Sequence, residues 1–361
     1  MANPLRLKQF AETFVGHSLK PFKLTTTPSS SVAYLHEVAH LIPEEFLSIL
    51  KRQKYHIVGT HSAVKKCKWL HESLVRGRHC YKEDFYGIAS HRCLQMTPAM
   101  AYCNQSCLWC WRVMAKDVGL NFDETTIPSQ DDAAIIADGC LLEQRRILSG
   151  YKAQVRSLKV QAHKYEEACE PKHVAISLAG EPTIYKFLGD LISEFKRRGF
   201  TTFLVSNGTN PKALGEIEEP SQLYLTVGAP TEEVHRRVCR PSGPDLWGRL
   251  MESLEMLSTF SCPKVLRLTL AKKMNMFAPE EYAKLILRAE PTYVECKAMM
   301  SVGYGSQIGR ISYENMPSFQ EIKGFSKDLA ELTGMKPIGE QSDSRVVLLS
   351  KLDRPIKLKR E

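Results

Sequence analysis

Short apolar runs rich in Val, Ile and Leu alternate with longer amphipathic stretches along most of the chain. The runs "HVAISLAG" (173–180), "TTFLVSNG" (201–208), "QLYLTVGAP" (222–230), "KVLRLTLA" (264–271) and "TYVECKAMM" (292–300) read as strands. "HRCLQMTPAMAYC" (91–103) reads as a further strand, leading into a group of cysteines. The segments 129–152, 185–200, 244–260, 279–290 and 317–334 carry apolar residues at helical spacing. The first of these is expected to start on a Ser cap with an acidic first turn, and Gly199 closes the second. Strand and helix alternate about six times, which predicts a parallel sheet of βα units. Six units fall short of the eight of a closed barrel. The expected fold is an open six-strand barrel or a doubly wound sheet, with the chemistry at the C-terminal strand ends.

Ahead of this rhythm, residues 1–58 read as an N-terminal extension, with a flexible "TTTPSSS" at 25–31 and a short helix at 43–53. Residues 59–92 form a segment rich in basic and aromatic residues, 93–335 the βα core, and 336–361 a C-terminal tail. No run of about 18 apolar residues suggests a membrane span. The start "MANPLRLKQFAETF" has no apolar signal region, so a cytoplasmic, reducing environment is expected. Lys and Arg number 49 against 40 Asp and Glu, a net charge of +9 that suits a polyanionic partner. Basic residues gather in "KRQKYH" (51–56), "VKKCKW" (64–69), "VHRRVCR" (234–240) and "RPIKLKR" (354–360), as phosphate contacts or as plain solvated charge.

In a reducing environment, clustered cysteines point to metal or redox work. Six of the eleven lie between 67 and 110. Cys140, Cys169, Cys239, Cys262 and Cys296 are scattered and read as structural. "CNQSCLWCWR" (103–112) places Cys103, Cys107 and Cys110 in a C-x3-C-x2-C spacing. A structural zinc site closes with four ligands, commonly as two separated pairs, and no second C-x2-C follows here. A reactive thiol needs one cysteine. Three thiolates on one tight loop would leave an iron–sulfur cluster with one open iron, as a catalytic site requires, so iron–sulfur is favoured over zinc. Cys67, Cys80 and Cys93 are spaced by 13 and 13 among lysines, histidines and aromatics, either as a second metal site or as buried structural cysteines.

The C-x3-C-x2-C loop after the first core strand, with the aromatic Trp109 before its last cysteine, resembles the radical SAM superfamily. That resemblance implies a partial, open TIM-like (β/α)6 barrel and a [4Fe–4S] cluster on Cys103, Cys107 and Cys110. S-adenosylmethionine would fill the open iron and yield a 5′-deoxyadenosyl radical, hard chemistry that the cofactor carries while the protein orients it. "LAGEPT" (178–183) resembles the superfamily's Gly-Gly-Glu motif, with Gly180, Glu181 and Pro182 at the SAM amino group; Ala179 replaces a usual Ser. Asn207 in "SNGT" is expected near the SAM ribose or carboxylate, although Asn-Gly is also a plain turn signal. Arg267 in "RLTL" is expected near the SAM carboxylate or a substrate phosphate, or in an ion pair.

Taken with "VECK" and "VGYGS", these segments resemble the tRNA 4-demethylwyosine synthases from about residue 55 to 330. The resemblance implies a second [4Fe–4S] cluster on Cys67, Cys80 and Cys93 that engages pyruvate. It implies as substrates N1-methylguanosine beside the anticodon of tRNA-Phe and carbons 2 and 3 of pyruvate, which close a third ring on the base. A lysine would form a Schiff base with the keto carbon. Lys65 and Lys66 are the candidates, with Lys297 behind them, and a basic patch on tRNA phosphate is the plainer reading of the pair. Relatives usually end the fourth strand with "SLDAP"; here it is "TVGAP", so Gly228 stands where an Asp is expected, and the chain either does without that contact or moves it to Thr226. The chain resembles the archaeal form, expected to act as a monomer reduced by a separate ferredoxin or flavodoxin. Two other readings are a radical SAM enzyme with another substrate and a zinc-stabilised RNA-binding module.

Overall fold

The computed structural model describes residues 42–358. Six parallel strands form its centre: β3 (Cys93–Thr97), β4 (His173–Ile176), β5 (Thr201–Ser206), β6 (Gln222–Val227), β7 (Lys264–Leu270) and β8 (Tyr293–Ala298). They pair in sequence order, without the reversal that defines a doubly wound sheet. The sheet is therefore the open six-stranded barrel type. On one flank the hairpin of β1 (His56–Val58) and β2 (Ser62–Val64) adds antiparallel to β3. On the other, β10 (Val346–Ser350) pairs antiparallel with β8 and β9 (Lys336–Gln341) pairs with β10. The expected 336–361 tail is thus corrected: 336–350 is part of the sheet. The 59–92 segment likewise supplies β2 and the helix Tyr81–Tyr86 that covers the inner sheet face. Within the expected extension, α1 (Glu44–Arg52) buries Phe46, Leu47 and Leu50 in the main core; the "TTTPSSS" stretch lies outside the described residues.

Strand alternation gives the sheet two faces. Leu204, Leu225, Leu268 and Val294 pack outward under helices over Ala133–Ser149, Leu188–Arg197, Leu246–Met256, Pro279–Ala289 and Phe319–Thr333. The helix beginning at Ala133 is capped by Asp132, whose Oδ1 accepts from the Ala134 amide at 2.8 Å, not by Ser129. The "SQDD" run offers four residues that favour such ends, and Asp132 is the one adjacent to the first turn. The opposite, inner face carries Phe203, Tyr224, Val265 and Tyr293, covered by the short helix Tyr81–Tyr86 through Tyr81, Phe85 and Tyr86. Higher on the same strands the inner positions become polar: Thr226, Arg267, Glu295 and Lys297. An apolar outer layer with a polar inner face is what an open barrel needs to hold a polar substrate.

Candidate active site

The C-terminal end of β3 runs into the cysteine loop, and three parts of the fold clasp that loop. The Cys103 amide donates to the Glu124 carbonyl at 2.6 Å. The Ser106 and Leu108 amides donate to the Cys239 and Val238 carbonyls at 3.0 and 2.9 Å, at the end of the helix Glu232–Cys239. Gln105 Nε2 lies 3.0 Å from His235 Nε2. The "VHRRVCR" segment is therefore a brace for the loop: His235, Val238 and Cys239 are buried, and only its arginines face outward. All eleven cysteines are free thiols. Loss of water pushes the Cys103 and Cys110 thiols up, against the opposing charge of Arg112. Cys107 is raised first by a hydrogen bond with Cys239 and then by burial. Among the described residues no three His, Cys, Asp or Glu side chains converge as one bound ion requires. A cubane presents separate irons to separate thiolates, and three free thiols on one loop beside a buried guanidinium fit that donor requirement.

The ends of β4 and β5 close around the loop. Gly180 has φ +71°, and a Cβ there would stand 1.7 Å from the Ala99 carbonyl oxygen. Pro182 opens a short turn, and the Glu181 side chain is buried. Its Oε1 accepts from the Thr183 and Ser206 hydroxyls, both at 2.8 Å, and its Oε2 from the Asn207 amide at 2.7 Å. Burial raises this carboxyl, and the four donors that bind it pull the other way. Asn207 Nδ2 donates to Asn104 Oδ1 at 2.9 Å, tying "SNGT" to the cysteine loop. The structure thus brings Gly180, Glu181, Pro182 and Asn207 together beside Cys103. A polar cleft of about 420 Å³, lined in part by Asn104, Thr183, Thr209 and Arg249, opens next to them.

Gly228 has a steric reason for lacking a side chain. A Cβ there would lie 2.8 Å from Trp109 Cζ2 and 2.9 Å from Cys239 Sγ. The tryptophan of "LWCW" fills the space an aspartate would use. Overpacking of this kind costs about 1–3 kcal/mol. Gly228→Asp is expected to lower Tm and iron retention together, and adding Trp109→Leu to recover part of both. Thermal melts and iron assays check this; a double variant no better than the single one would refute the steric account.

Deeper in the barrel the second cysteine set comes together. Cys67 and Cys80 precede the helices Lys68–Arg76 and Tyr81–Tyr86 as their N-caps, and Cys93 opens β3. Burial and then the charge of Cys67 push Cys80 up to about 12, and the same two causes raise Cys93. Between these thiols and the inner sheet face lies Lys82, a residue the sequence reading passed over. It is buried, and its Nζ stands 4.0 Å from the Phe203 ring centroid and 4.4 Å from that of Tyr224. Burial and then Arg267 bring its amine down to about 8, while Glu295, Cys80 and Cys93 oppose the shift. A lysine at the start of "YKEDFY" looks like a helix surface residue; only its position two after Cys80 hints otherwise.

The other candidates take different places. Arg267 is in the ion pair: its Nε and Nη2 donate to Glu295 Oε2 at 3.1 and 3.0 Å, and Nη2 also to the Tyr81 hydroxyl at 2.7 Å. Thr226 is its register neighbour on β6. Lys297 donates to the Ser344 carbonyl at 2.7 Å, and burial brings it to about 8. Lys65 lies 4.4 Å from the Tyr55 ring and 4.9 Å from that of Trp111, beside Cys110, and burial lowers it. Lys66 lies 5.6 Å from the Tyr151 ring, in a different environment. The structure separates these two adjacent lysines and places neither beside Cys80 and Cys93. In the basic tail, Lys357 is spent on the Asp84 and Phe85 carbonyls, at 2.6 and 3.1 Å.

Comparison with known proteins agrees with this geometry. The Radical SAM superfamily profile matches residues 97–289, and the Wyosine base formation profile matches 288–351. The chain is 46% identical to the S-adenosyl-L-methionine-dependent tRNA 4-demethylwyosine synthase of Pyrococcus abyssi, over 93% of this chain and 94% of that one. It is 45% identical to the enzyme of the same name from Pyrococcus horikoshii, with the same coverage. A solved structure of TYW1 with a lysine-pyruvate adduct bound superposes with a TM-score of 0.79 at 36% identity, covering 89% of this chain and all of that one. With a radical SAM barrel, its cysteine loop and relatives this similar over nearly their whole length, the chain belongs to the tRNA 4-demethylwyosine synthase family of radical SAM enzymes.

Proposed function

We propose that this enzyme condenses N1-methylguanosine, beside the anticodon of tRNA-Phe, with carbons 2 and 3 of pyruvate to give 4-demethylwyosine. Membership of the superfamily brings S-adenosylmethionine and a [4Fe–4S] cluster; our reading assigns that cluster to Cys103, Cys107 and Cys110 and a second one to Cys67, Cys80 and Cys93. The observation that carries the pyruvate step is the place of Lys82, a buried amine beside Cys80 and Cys93 on the inner barrel face. A similar structure that contains a lysine-pyruvate adduct supports it.

In this reading the cluster and S-adenosylmethionine, when bound, supply the radical that takes a hydrogen atom from the N-methyl group. Lys82 attacks the keto carbon of pyruvate, losing water to form an imine. The rings of Phe203 and Tyr224 exclude water from that bond, and the Arg267–Glu295 pair holds a fixed charge beside it. The methyl-centred radical joins the keto carbon, and the bond from that carbon to the carboxylate breaks. The carboxylate leaves with the unpaired electron as a one-carbon radical, which one electron from the external donor and one proton convert to formate. Exchange of the imine to the exocyclic amine of the base closes the ring and frees Lys82. Gly180, Glu181, Pro182, Asn207 and Thr226 line the S-adenosylmethionine place, and the cleft beside Asn104 accommodates flanking nucleotides. The reading includes a cytoplasmic monomer and a separate ferredoxin or flavodoxin as electron donor. No helix among the described residues is long and apolar enough to cross a membrane.

The test is nucleoside analysis of tRNA bearing N1-methylguanosine after anaerobic incubation with S-adenosylmethionine, pyruvate and reductant. A new tricyclic nucleoside is expected, and its absence at full iron loading would end this reading. Iron analysis tests the second cluster. Roughly eight irons per chain should fall to about four in Cys67→Ala/Cys80→Ala/Cys93→Ala, as two cysteine-ligated cubanes require. Equal iron in both proteins would return those cysteines to packing.

A further inference from the structure

The structure assigns Arg112 to raising the electron affinity of the cluster on Cys103, Cys107 and Cys110; the inference rests on the iron–sulfur reading of those thiols. Arg112 is only 1% exposed, and a guanidinium carries five N–H donors. Its Nη1 serves the Glu124 carboxylate and the Ala101 carbonyl. Its Nε and Nη2 are buried with no partner in the protein. Each bare buried donor costs about 1–3 kcal/mol, and more when charged, so such a group normally has an unseen acceptor.

The surroundings identify that acceptor. Arg112 follows Cys110 by two residues, and Arg310 Nη2 fixes this stretch by donating to the Cys110 and Arg112 carbonyls at 3.3 and 2.9 Å. Glu124 joins Arg112 to Cys103, since its carboxylate pairs with the guanidinium while its carbonyl accepts from the Cys103 amide at 2.6 Å. All three thiols feel the Arg112 charge. A fourth protein ligand is not needed to explain the residue: its open donors match the sulfur acceptors of a thiolate-bound cluster.

The consequence is electrostatic. One-electron reduction by an external low-potential donor adds a negative charge to the cluster and moves no proton. Hydrogen bonds to the sulfurs and nearby positive charge stabilise that state and raise the potential. Glu124 partly masks the guanidinium and so sets the opposite limit. Arg112 acts here as a positioning residue that makes the cluster easier to reduce, without touching the substrate.

The test is a dithionite titration of the reconstituted full chain followed by EPR, with S-adenosylmethionine added to mark the open-iron cluster by its changed signal. For Arg112→Gln, at unchanged iron content, the ratio of reduced to oxidised cluster at a fixed poise should fall about tenfold, which is 59 mV for one electron. Glu124→Gln should shift the midpoint the other way, because it unmasks the guanidinium. The second cluster, titrated in the same samples, should not move with either variant. Unmoved midpoints at full iron content overturn the inference and leave the cluster reading standing. If Arg112→Gln loses iron, Glu124→Gln decides alone, and no upward shift there overturns it. Wild-type protein that holds no iron through Cys103, Cys107 and Cys110 overturns the cluster reading and this inference with it.

Discussion

Lys82→Ala is expected to keep its full iron content and to cleave S-adenosylmethionine, yet to form no tricyclic nucleoside. The amine is remote from the first cysteine loop in sequence and sits beside Cys80 and Cys93 inside the barrel. Under the proposal, removing it leaves radical generation in place and takes away the group that anchors pyruvate. Loss of a covalently positioned reactant should bring product below roughly one per cent of wild type, given the size of proximity effects. Borohydride reduction with labelled pyruvate should tag the wild-type chain and leave the variant unlabelled. Lys82→Arg separates charge from chemistry, since it keeps the cation but forms no imine under these conditions. Lys65→Ala and Lys66→Ala are the necessary comparisons. If Lys65→Ala abolishes labelling and Lys82→Ala does not, the imine belongs beside Trp111 instead, and the inner-face assignment fails.

The contrast between these lysines shows what a sequence carries. Lys65 and Lys66 are prominent because they adjoin Cys67, and adjacency in sequence is visible. Lys82 matters because Phe203 and Tyr224, more than 120 residues further on, meet it across the barrel. No local pattern reports such a contact. The cysteine loop was legible for the opposite reason: its three cysteines lie within eight residues, and spacing alone restricts the chemistry. The core strands were legible because most are short apolar runs between helical segments. The flanking strands were not. β1 and β2 have three residues each, and "KPIGEQ" in β9 carries both Pro and Gly, which read as loop. Arg267 was half legible: an ion pair was one of its two expected places, but its partner Glu295 is a register neighbour on the next strand. The aspartate missing at Gly228 is explained only when Trp109 is seen filling its place.

Gly180→Ala should be the most damaging glycine-to-alanine change among the described residues. Its φ of +71° lies in the left-handed region, which costs an L side chain roughly 1–2 kcal/mol. The new Cβ would also meet two backbone oxygens, Ala99 at 1.7 Å and Tyr102 at 2.4 Å. Backbone cannot swing aside as a side chain can, so overpacking adds about 1–3 kcal/mol more. The same stretch is clasped by hydrogen bonds: Thr97 Oγ1 donates to the Ala179 carbonyl at 2.5 Å, and the Glu181 amide to the Tyr102 carbonyl at 2.8 Å. Since Tyr102 precedes Cys103, any relief of the clash displaces Cys103, the first of the three thiols proposed to hold the cluster. Together these effects predict a fall in Tm on the order of 10 °C. They also predict loss of the iron held by Cys103, Cys107 and Cys110, with that of the second set retained. Gly199→Ala isolates the causes, because Gly199 has φ +80° and nothing within 4 Å of its added Cβ. It should lose a little stability from strain and keep all its iron. If both variants lose stability equally and both keep their iron, backbone strain is the whole effect, and the β4 end does not hold the cysteine loop in place.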